Sequence, residues 1–318
     1  MPPAPAVLVA RELELVERRL AALLRSREAR LSDIATYLIG AGGKRVRPAV
    51  TMLIFRACGG EELADIVDVA VALELIHSAS LLHDDIIDGS GVRRGRDSAL
   101  RKYGAADTLV TGDFLFSRAF QICGRFDERL INWAAEACIS LTEGEIMQGR
   151  FRRNPAVTYA DYLEIVTRKT ASLFEQGART AAYLAQASDA IVDAMARCGL
   201  HVGRTFQMVD DLLDITAVEA QLGKPIGLDL RDGNPSLPIV LAMQDDEEIR
   251  CLFQKPALTD GDFTALLHRL RRPDIVEAGY RLAIEHAAYA RQALAALPDS
   301  VYRQSLLVLV DQLVERVA

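Results

Sequence analysis

The chain has 318 residues, half of them hydrophobic and a quarter charged, with 21 glycines and 11 prolines, so it can bury a sizeable core and is not a loop-rich or disordered chain. Its net charge of −7 argues against a general nucleic-acid binder, and an anionic ligand must be held by a local cluster of positive charge. The five cysteines show no CxxC spacing, no basic region opens the N-terminus and no run of 18 apolar residues occurs, so we expect a cytoplasmic protein without a signal peptide or transmembrane segment.

Apolar residues recur at intervals of three and four along most of the chain. The pattern is clear in ELELVERRLAALLRSREARL, in ELADIVDVAVALELIHSASLLH, in INWAAEACISLTEGEIMQGRF and in AIVDAMARCGLHVGRTFQMVDDLLDI, and we find no convincing alternating strand. Segments 73–82 and 171–187 are apolar on more than one face, which is typical of helices inside a bundle. No linker or shift in composition marks a boundary between domains. The sequence therefore predicts an all-α protein with one large domain over residues 1–318.

The segment GAGGKRVRP is the first candidate for ligand binding. It places Lys44, Arg45 and Arg47 after flexible glycines and just before a helix, with Pro48 suited to the first helical turn. Arginine and lysine bind phosphate, and the amides at a helix N-terminus favour an anion. A surface turn with solvated basic side chains is the alternative interpretation.

Two acidic clusters, in HDDIIDGSGVRRG and in VDDLLDI, lie in apolar helical segments. Each has two aspartates four residues apart, on one helix face, and a third beside them. The clusters are Asp84, Asp85 and Asp88, and Asp210, Asp211 and Asp214. Oxygen donors without His or Cys suit Mg²⁺ or Mn²⁺, which bind one or two carboxylates together with substrate phosphates. A solvated acidic face is the alternative for one such motif, but the repetition in apolar surroundings argues against it.

Other polar residues fit a site for phosphates and metal ions. Arg93 and Arg94 follow the first cluster, where they form surface ion pairs or reach phosphates. His77 lies two helical turns before Asp84 on the same face, as a core histidine or as a phosphate donor. Three more candidates lie on central helices, and one lies in a Gly/Pro-broken segment typical of a lid loop. These are Lys169, Thr170, Gln207 and Lys224.

Seven segments, in order, resemble the trans-isoprenyl diphosphate synthases. They are GGKRVRP, ELIHSASLLHDDIIDGSGVRRG, TGDFLFSRAFQ, EGEIMQ, KTASLFE, GRTFQMVDDLLDI and GKPIGLDLRDGNPSLP. The resemblance runs from about residue 42 to residue 238 and is greatest to long-chain bacterial members such as the octaprenyl diphosphate synthases. It implies mostly antiparallel helices around a deep central cavity, the isoprenoid synthase type, in a homodimer. It also implies head-to-tail condensation of isopentenyl diphosphate onto an allylic diphosphate, with three Mg²⁺ ions that Mn²⁺ can replace.

Carried over position by position, the resemblance implies a role for each candidate. Asp84, Asp88 and Asp210 would bind metal directly, with Asp85 in support and Asp211 and Asp214 acting partly through water. The allylic diphosphate would be held by Arg93, Lys169 and Lys224. Isopentenyl diphosphate would be held by Gly43, Lys44, Arg47, His77 and Arg94, and Thr170 and Gln207 would lie by the allylic carbon. At Asn234 many members have lysine, so one cation toward the allylic diphosphate is expected to be missing.

The residues one helical turn before Asp84 bear on product length. Short-chain members have an aromatic floor there, whereas this chain has Ala79 and Ser80. Two small residues predict a product longer than geranylgeranyl diphosphate, which has four isoprene units. In the alternative interpretation they only permit close helix packing and a deeper residue is the floor. A long polyprenyl product is strongly apolar, which also implies that the protein contacts a membrane peripherally when it releases the product.

Other functions remain open. One is a short-chain farnesyl or geranylgeranyl diphosphate synthase, and another is a class I terpene cyclase, which would not need GGKRVRP or the paired arginines. A non-catalytic subunit of a heteromeric synthase would be expected to have lost one aspartate cluster. A plain helical scaffold predicts no dependence on Mg²⁺.

Overall fold

A computed structural model describes residues 5–217 and 226–315 of the chain. The described residues are almost entirely helical, which confirms the predicted all-α class. They fall into two compact units. Of the described residues, the first unit comprises 5–138, 176–196 and 294–308, and the second comprises 139–175, 197–217, 226–293 and 309–315. The single domain over residues 1–318 stays a prediction.

The helices follow the predicted order along the chain. The first are α1 (Pro5–Leu8), α2 (Ala10–Leu23), α3 (Ala29–Ile39), α4 (Val46–Ala57), α5 (Leu63–Ile87), α6 (Ala99–Tyr103), α7 (Ala105–Cys123), α8 (Glu128–Phe151) and α9 (Tyr159–Val166). A π-helical turn (Thr167–Ala171) precedes α10 (Ser172–Leu184) and α11 (Asp189–Thr216). The others are α12 (Leu228–Asp232), α13 (Leu237–Ala242), α14 (Glu247–Phe253), α15 (Asp260–Leu270), α16 (Pro273–Leu294) and α17 (Val301–Glu315).

Helix α5 is at the core of the first unit because it is apolar on every face. All its residues from Ile66 to Ile76 are buried, and it packs against α2, α4 and α7. By length and composition alone it could cross a membrane, since its most apolar window has a mean hydropathy of 1.5. That window is 78% buried inside the protein, which is the environment of a core helix in a bundle.

Helices α5 and α7 lie side by side and run in opposite directions. Near the C-terminus of α5, a Cβ added to Gly112 of α7 would lie 2.2 Å from His83 Nε2, so the imidazole of α5 packs directly against this glycine. At the other end of α5, Asp65 and Asp68 pair with Arg125, which follows α7. The C-terminal end of α5, with its aspartates, therefore lies far from Arg125.

In the second unit, the C-terminal part of α11 packs against the π-helical turn. A Cβ added to Gly203 would lie 2.5 Å from Ala171 Cα, so the glycine permits backbone contact. Met208 and Val209, on the next turn of α11, are fully buried in the core of this unit. This packing fixes the face of α11 that carries the second aspartate cluster.

A small hairpin follows α5, with strands β1 (Val92–Arg93) and β2 (Arg96–Asp97). Arg94 and Gly95 form its two-residue loop, with φ of 53° and 74°. Positive φ at both positions is the geometry of a type I′ turn. The sequence predicted no strand here because two-residue strands are too short to show alternation.

Candidate active site

The first aspartate cluster lies at the C-terminal end of α5. Asp84 and Asp85 are in its last turn, and Asp88 is the C-cap, with its amide bonded to Asp84 O at 2.8 Å. Negative charge at a helix C-terminus opposes the helix dipole, so these carboxylates do not stabilise α5. Asp84 and Asp88 are partly exposed, which leaves them accessible to a ligand.

Asp85 is fully buried and is held by Arg93 of the hairpin. Arg93 donates from Nε at 2.9 Å and from Nη2 at 2.6 Å, both to Asp85 Oδ1. Asp85 Oδ2 is buried with no hydrogen-bond partner among the described residues. Burial raises the pKa of Asp85, and the guanidinium of Arg93 opposes that shift. A buried carboxylate oxygen without a donor is the arrangement that a nearby cation would relieve.

The glycine-rich segment before α4 brings two guanidinium groups together. Arg94 donates to the carbonyl oxygen of Gly42. A Cβ added to Gly43 would lie 3.3 Å from Arg94 Nη2 and 3.4 Å from Arg45 Nη1, so the glycine allows them to converge. Arg45 has a left-handed backbone, with φ of 46°, and pairs with Glu17 and Glu74. Arg45 therefore organises the loop, whereas Lys44 is exposed.

His77 faces this basic cluster. Burial, with the positive charges of Arg47 and Arg94 next in importance, lowers the pKa of His77 well below its usual range. The imidazole is therefore neutral near pH 7, and it can offer a hydrogen bond but no charge.

Glu74, one turn before His77 on α5, is a site residue that sequence reasoning missed. Its side chain is buried and accepts from Arg45 Nη1 at 2.8 Å. Burial lowers the pKa of Arg47, and the charge of Glu74 opposes that shift. The available signal was a single acid inside the apolar run VALELIHS, since an unpaired buried carboxylate is costly.

In the second unit, Asp211 is the centre of a buried hydrogen-bond network. Its Oδ1 accepts from Gln207 Nε2 at 2.8 Å, and its Oδ2 accepts from Tyr162 OH at 2.8 Å and from the Leu237 amide at 3.0 Å. Burial raises the pKa of Asp211 to about 6, and these three donors oppose the shift. Both carboxylate oxygens of Asp211 thus accept hydrogen bonds from the protein, while Asp210 is partly exposed. Sequence reasoning also missed Tyr162.

The network continues into the π-helical turn, which carries Lys169 and Thr170. Thr170 Oγ1 donates to Gln207 Oε1 at 2.9 Å, so Gln207 links Thr170 to Asp211. π-Helical turns are rare in proteins, and those that occur are often found at functional sites. The structure therefore brings together three residues that the sequence proposed separately.

Lys169 is held by residues of the EGEIMQ motif. Its Nζ forms an ion pair with Glu145 and donates to Gln148 Oε1 at 2.7 Å. A Cβ added to Gly144 would lie 2.7 Å from the Lys169 amide nitrogen, so the glycine lets α8 approach this turn closely.

Two residues of the Gly/Pro-broken segment after α11, Lys224 and Asn234, were predicted to bear on binding of the allylic diphosphate. Lys224 lies outside the described residues. Asn234 is buried, and its Oδ1 accepts from Arg152 Nε at 3.2 Å. A guanidinium group thus lies beside the residue that stands where many members of the family have lysine. The sequence did not reveal this neighbour because it is 82 residues away.

An apolar pocket in the first unit extends along α5 on the side away from the aspartates. Ile76, Leu73 and Val69 line it from α5, and Phe126 and Leu130 line it from the segment after α7. These α5 positions continue, at helical spacing, the face that carries the buried Ala79 and Ser80. Open space therefore lies beyond the two small residues, and the pocket extends to deeper side chains.

The acidic residues fit Mg²⁺ by their chemistry. Within 5–217 and 226–315, no three His, Cys, Asp or Glu side chains are grouped so as to hold a metal ion by themselves. Mg²⁺ is usually bound by one or two carboxylates together with substrate phosphates, so such a group is not required. Asp84, Asp88 and Asp210 offer hard oxygen donors, and the buried Oδ2 of Asp85 accepts no hydrogen bond from the part of the chain that the structure describes.

Comparison with known proteins agrees with this geometry. The model of the polyprenyl synthetase family matches residues 28–268. The octaprenyl diphosphate synthase of Haemophilus influenzae is 33% identical over 310 residues, which cover 96% of this chain and 94% of that one. A decaprenyl diphosphate synthase from Rhodobacter capsulatus superposes with a TM-score of 0.91 at 34% identity, over 99% of this chain and 98% of that one.

A geranylgeranyl pyrophosphate synthetase from Pyrococcus horikoshii superposes with a TM-score of 0.90 at 31% identity, over 98% of each chain. Relatives named for short and for long products thus share this fold at similar identity. The chain belongs to the polyprenyl synthetase family, and it is a prenyltransferase that makes trans-polyprenyl diphosphates.

Proposed function

We propose that this enzyme condenses isopentenyl diphosphate head-to-tail onto an allylic diphosphate, with Mg²⁺, to give a product longer than geranylgeranyl diphosphate. The observation that carries the proposal is the apolar pocket along α5, which continues the helix face of the first aspartate cluster past two small residues. A growing apolar chain needs such a space, and a diphosphate needs the charged end.

Positive charge in the first unit suits isopentenyl diphosphate. Lys44, Arg47 and Arg94 offer charge-assisted hydrogen bonds to phosphate oxygens, and neutral His77 offers one more donor. Gly43 leaves room for the converging guanidinium groups. Glu74 compensates part of their repulsion, which keeps the cluster assembled before the substrate binds.

The allylic diphosphate is the leaving group, and its negative charge grows as the carbon–oxygen bond breaks. Arg93 and Lys169 stabilise that charge through hydrogen bonds. Asp84, Asp88 and Asp210 would hold Mg²⁺, with Asp214 in support through water and Asp211 orienting Gln207. When bound, Mg²⁺ supplies Lewis-acid stabilisation of the leaving diphosphate.

The allylic carbon becomes cationic, and water would quench it. Thr170 and Gln207 present neutral oxygen dipoles that stabilise positive charge without forming a bond to carbon, and their mutual hydrogen bond fixes their orientation. Apolar walls exclude water from the reacting carbons. The double bond of isopentenyl diphosphate then attacks, and the released diphosphate takes the proton that is lost.

We propose further that two copies of the chain form a homodimer through α7 of the first unit. This helix exposes Leu109 at 48% and Phe120 at 49% of their surface. Eleven residues separate the two, so they lie on one helix face. Exposed large apolar side chains on one face mark an association surface.

The dimer is tested by light scattering on Phe120→Asp. We expect the unchanged protein to have about twice the 34.9 kDa mass of one chain and the variant to approach one chain mass. A monomeric unchanged protein would overturn this part of the proposal. The proposal includes a cytoplasmic location with peripheral membrane contact during product release, which cell fractionation tests.

The experiment that tests the proposed reaction is a product assay. Purified protein is incubated with farnesyl diphosphate, labelled isopentenyl diphosphate and Mg²⁺, with and without a chelator, and the extracted products are sized by chromatography. We expect a chelator-sensitive ladder that extends beyond geranylgeranyl diphosphate. A ladder that stops there would keep the chemistry and overturn the long-chain assignment. No product from any allylic primer would point to a required partner subunit.

A further inference from the structure

Four charged side chains, Arg19, Asp65, Asp68 and Arg125, form what we call the far-end cluster of α5. Asp68 is buried and accepts from Arg19 Nε at 2.8 Å and from Arg19 Nη2 at 3.4 Å. Arg125 pairs with Asp68 Oδ2 and also with Asp65. One buried carboxylate is thus shared by two guanidinium groups, and a buried charge needs such partners. The condensation reaction does not use these residues.

Arg125 lies in the turn at residues 124–127 that joins α7 to α8, and this turn is fixed on both sides of Phe126. On one side Arg125 holds the turn to α5. On the other side Asp127 accepts from the Leu130 amide at 3.0 Å and from Tyr183 OH at 2.9 Å. The guanidinium of Arg125 also lies 5.1 Å from the centre of the Phe126 ring.

Phe126 lines the product pocket at its far end. Val69, which follows Asp68 in α5, lines the same end, and it lies fifteen residues before Asp84, about 22 Å along the helix axis. Because α5 and α7 are antiparallel, the turn after α7 lies at this end of α5, away from the aspartates. The far-end cluster is therefore located where a growing chain would meet the end of the pocket.

We propose that the ion pairs from Arg125 to Asp65 and Asp68 hold Phe126 in place as the floor of the pocket, so that Arg125 is a positioning residue for product length. This inference rests on the proposed function. If Arg125 is lost, Asp68 keeps Arg19, so α5 retains a paired carboxylate. The turn loses its attachment to α5, and the Phe126 ring is then free to move aside for a longer chain.

The test compares product distributions of Arg125→Gln, Arg125→Lys, Phe126→Ala and the double variant Arg125→Gln/Phe126→Ala. We expect Arg125→Gln to raise the ratio of longer products to the main product roughly two- to fivefold, the scale of one partly exposed ion pair. Arg125→Lys, which keeps the charge, is expected to restore most of the original distribution. The rate of the first condensation should not change, because the short primer does not reach the floor.

The double variant separates a positioning role from a general one. If Arg125 acts through Phe126, the double variant gives the same distribution as Phe126→Ala alone, a non-additive result expected of coupled residues. An unchanged distribution in Arg125→Gln, or full additivity in the double variant, would overturn the proposal. Should Arg125→Gln fail to fold, Asp65→Asn removes only the exposed partner and tests the same attachment.

Arg291→Gln is the matched control, since it removes an exposed arginine that pairs with Asp311 in the second unit. We expect its products to match those of the unchanged protein, and a shift like that of Arg125→Gln would overturn the proposal. If the unchanged protein makes no product from any primer, the proposed function fails instead for this chain acting alone. The two failures are thus distinguishable.

Discussion

Asp84→Asn is expected to lower the rate of condensation by at least about 100-fold, the scale seen when one electrostatic group aimed at developing charge is removed. Asparagine keeps the shape of the side chain but removes the negative charge that a metal ion needs. Asp84 is partly exposed at the end of α5, where its charge opposes the helix dipole, so removing the charge does not weaken α5 through the dipole. The measurement is single-turnover condensation at saturating substrates over a series of Mg²⁺ concentrations.

The matched control for this change is Asp113→Asn. Asp113 is an exposed carboxylate on α7 in the same unit, 3.5 Å from His83 Nε2. We expect its condensation rate and its Mg²⁺ dependence to stay near those of the unchanged protein. Near-normal turnover in Asp84→Asn, with a melting temperature like that of the control, would remove Asp84 from the metal site.

Ala79→Phe is expected to shift the product distribution toward short chains, with farnesyl or geranylgeranyl diphosphate as the main product. Ala79 is fully buried one turn before the aspartates, above the pocket that extends to Val69 and Phe126. A benzyl group there would close the path to that space. The first condensation should continue, because the charged groups are unchanged. Chromatographic sizing of the products gives the result directly.

Ala79→Phe also overpacks the core, because inserting a large side chain into a packed core lowers the free energy of unfolding by about 1–3 kcal/mol. Ala70→Phe is the matched control, because Ala70 is equally buried on α5 but does not line the pocket. We expect a similar loss of melting temperature with unchanged product lengths. If neither variant folds, Ala79→Leu and Ala70→Leu repeat the comparison with a smaller change. Equal product lengths in Ala79→Phe and the unchanged protein would mean that the growing chain does not pass Ala79.

For product length, the sequence predicted one part of the pocket and the fold was needed to identify another. Small residues before the first aspartate cluster predict an open path, and this stays a prediction; the apolar pocket that lies deeper along α5 supports it. Two interpretations were open: Ala79 and Ser80 leave the path open, or they only permit close helix packing and a deeper residue is the floor. Sequence spacing along one helix could not choose between them. Phe126 comes from the turn after α7, so its place at the end of the pocket depends on how α7 packs against α5.

For the charged residues around the site, too, the sequence predicted the candidates but not their ion-pair partners. Lys44, Arg47 and Arg94 were recognisable as candidates from their neighbours in sequence. Arg45, from the same short motif, forms ion pairs with Glu17 and Glu74 instead of remaining available to a substrate. Which of several adjacent basic residues binds protein carboxylates is set by the distant partners that the fold supplies.

The all-α class, the family and the positions of both aspartate clusters could be predicted from the sequence alone. Helical periodicity and short motifs are local properties, and local spacing is enough to read them. Folding was needed to bring Glu74 and Tyr162 into the site, Arg152 beside Asn234 and Arg125 beside Asp68 at the far end of α5. These pairings join residues that are distant in the chain, and packing between helices decides them because burial makes each unpaired charge or donor costly.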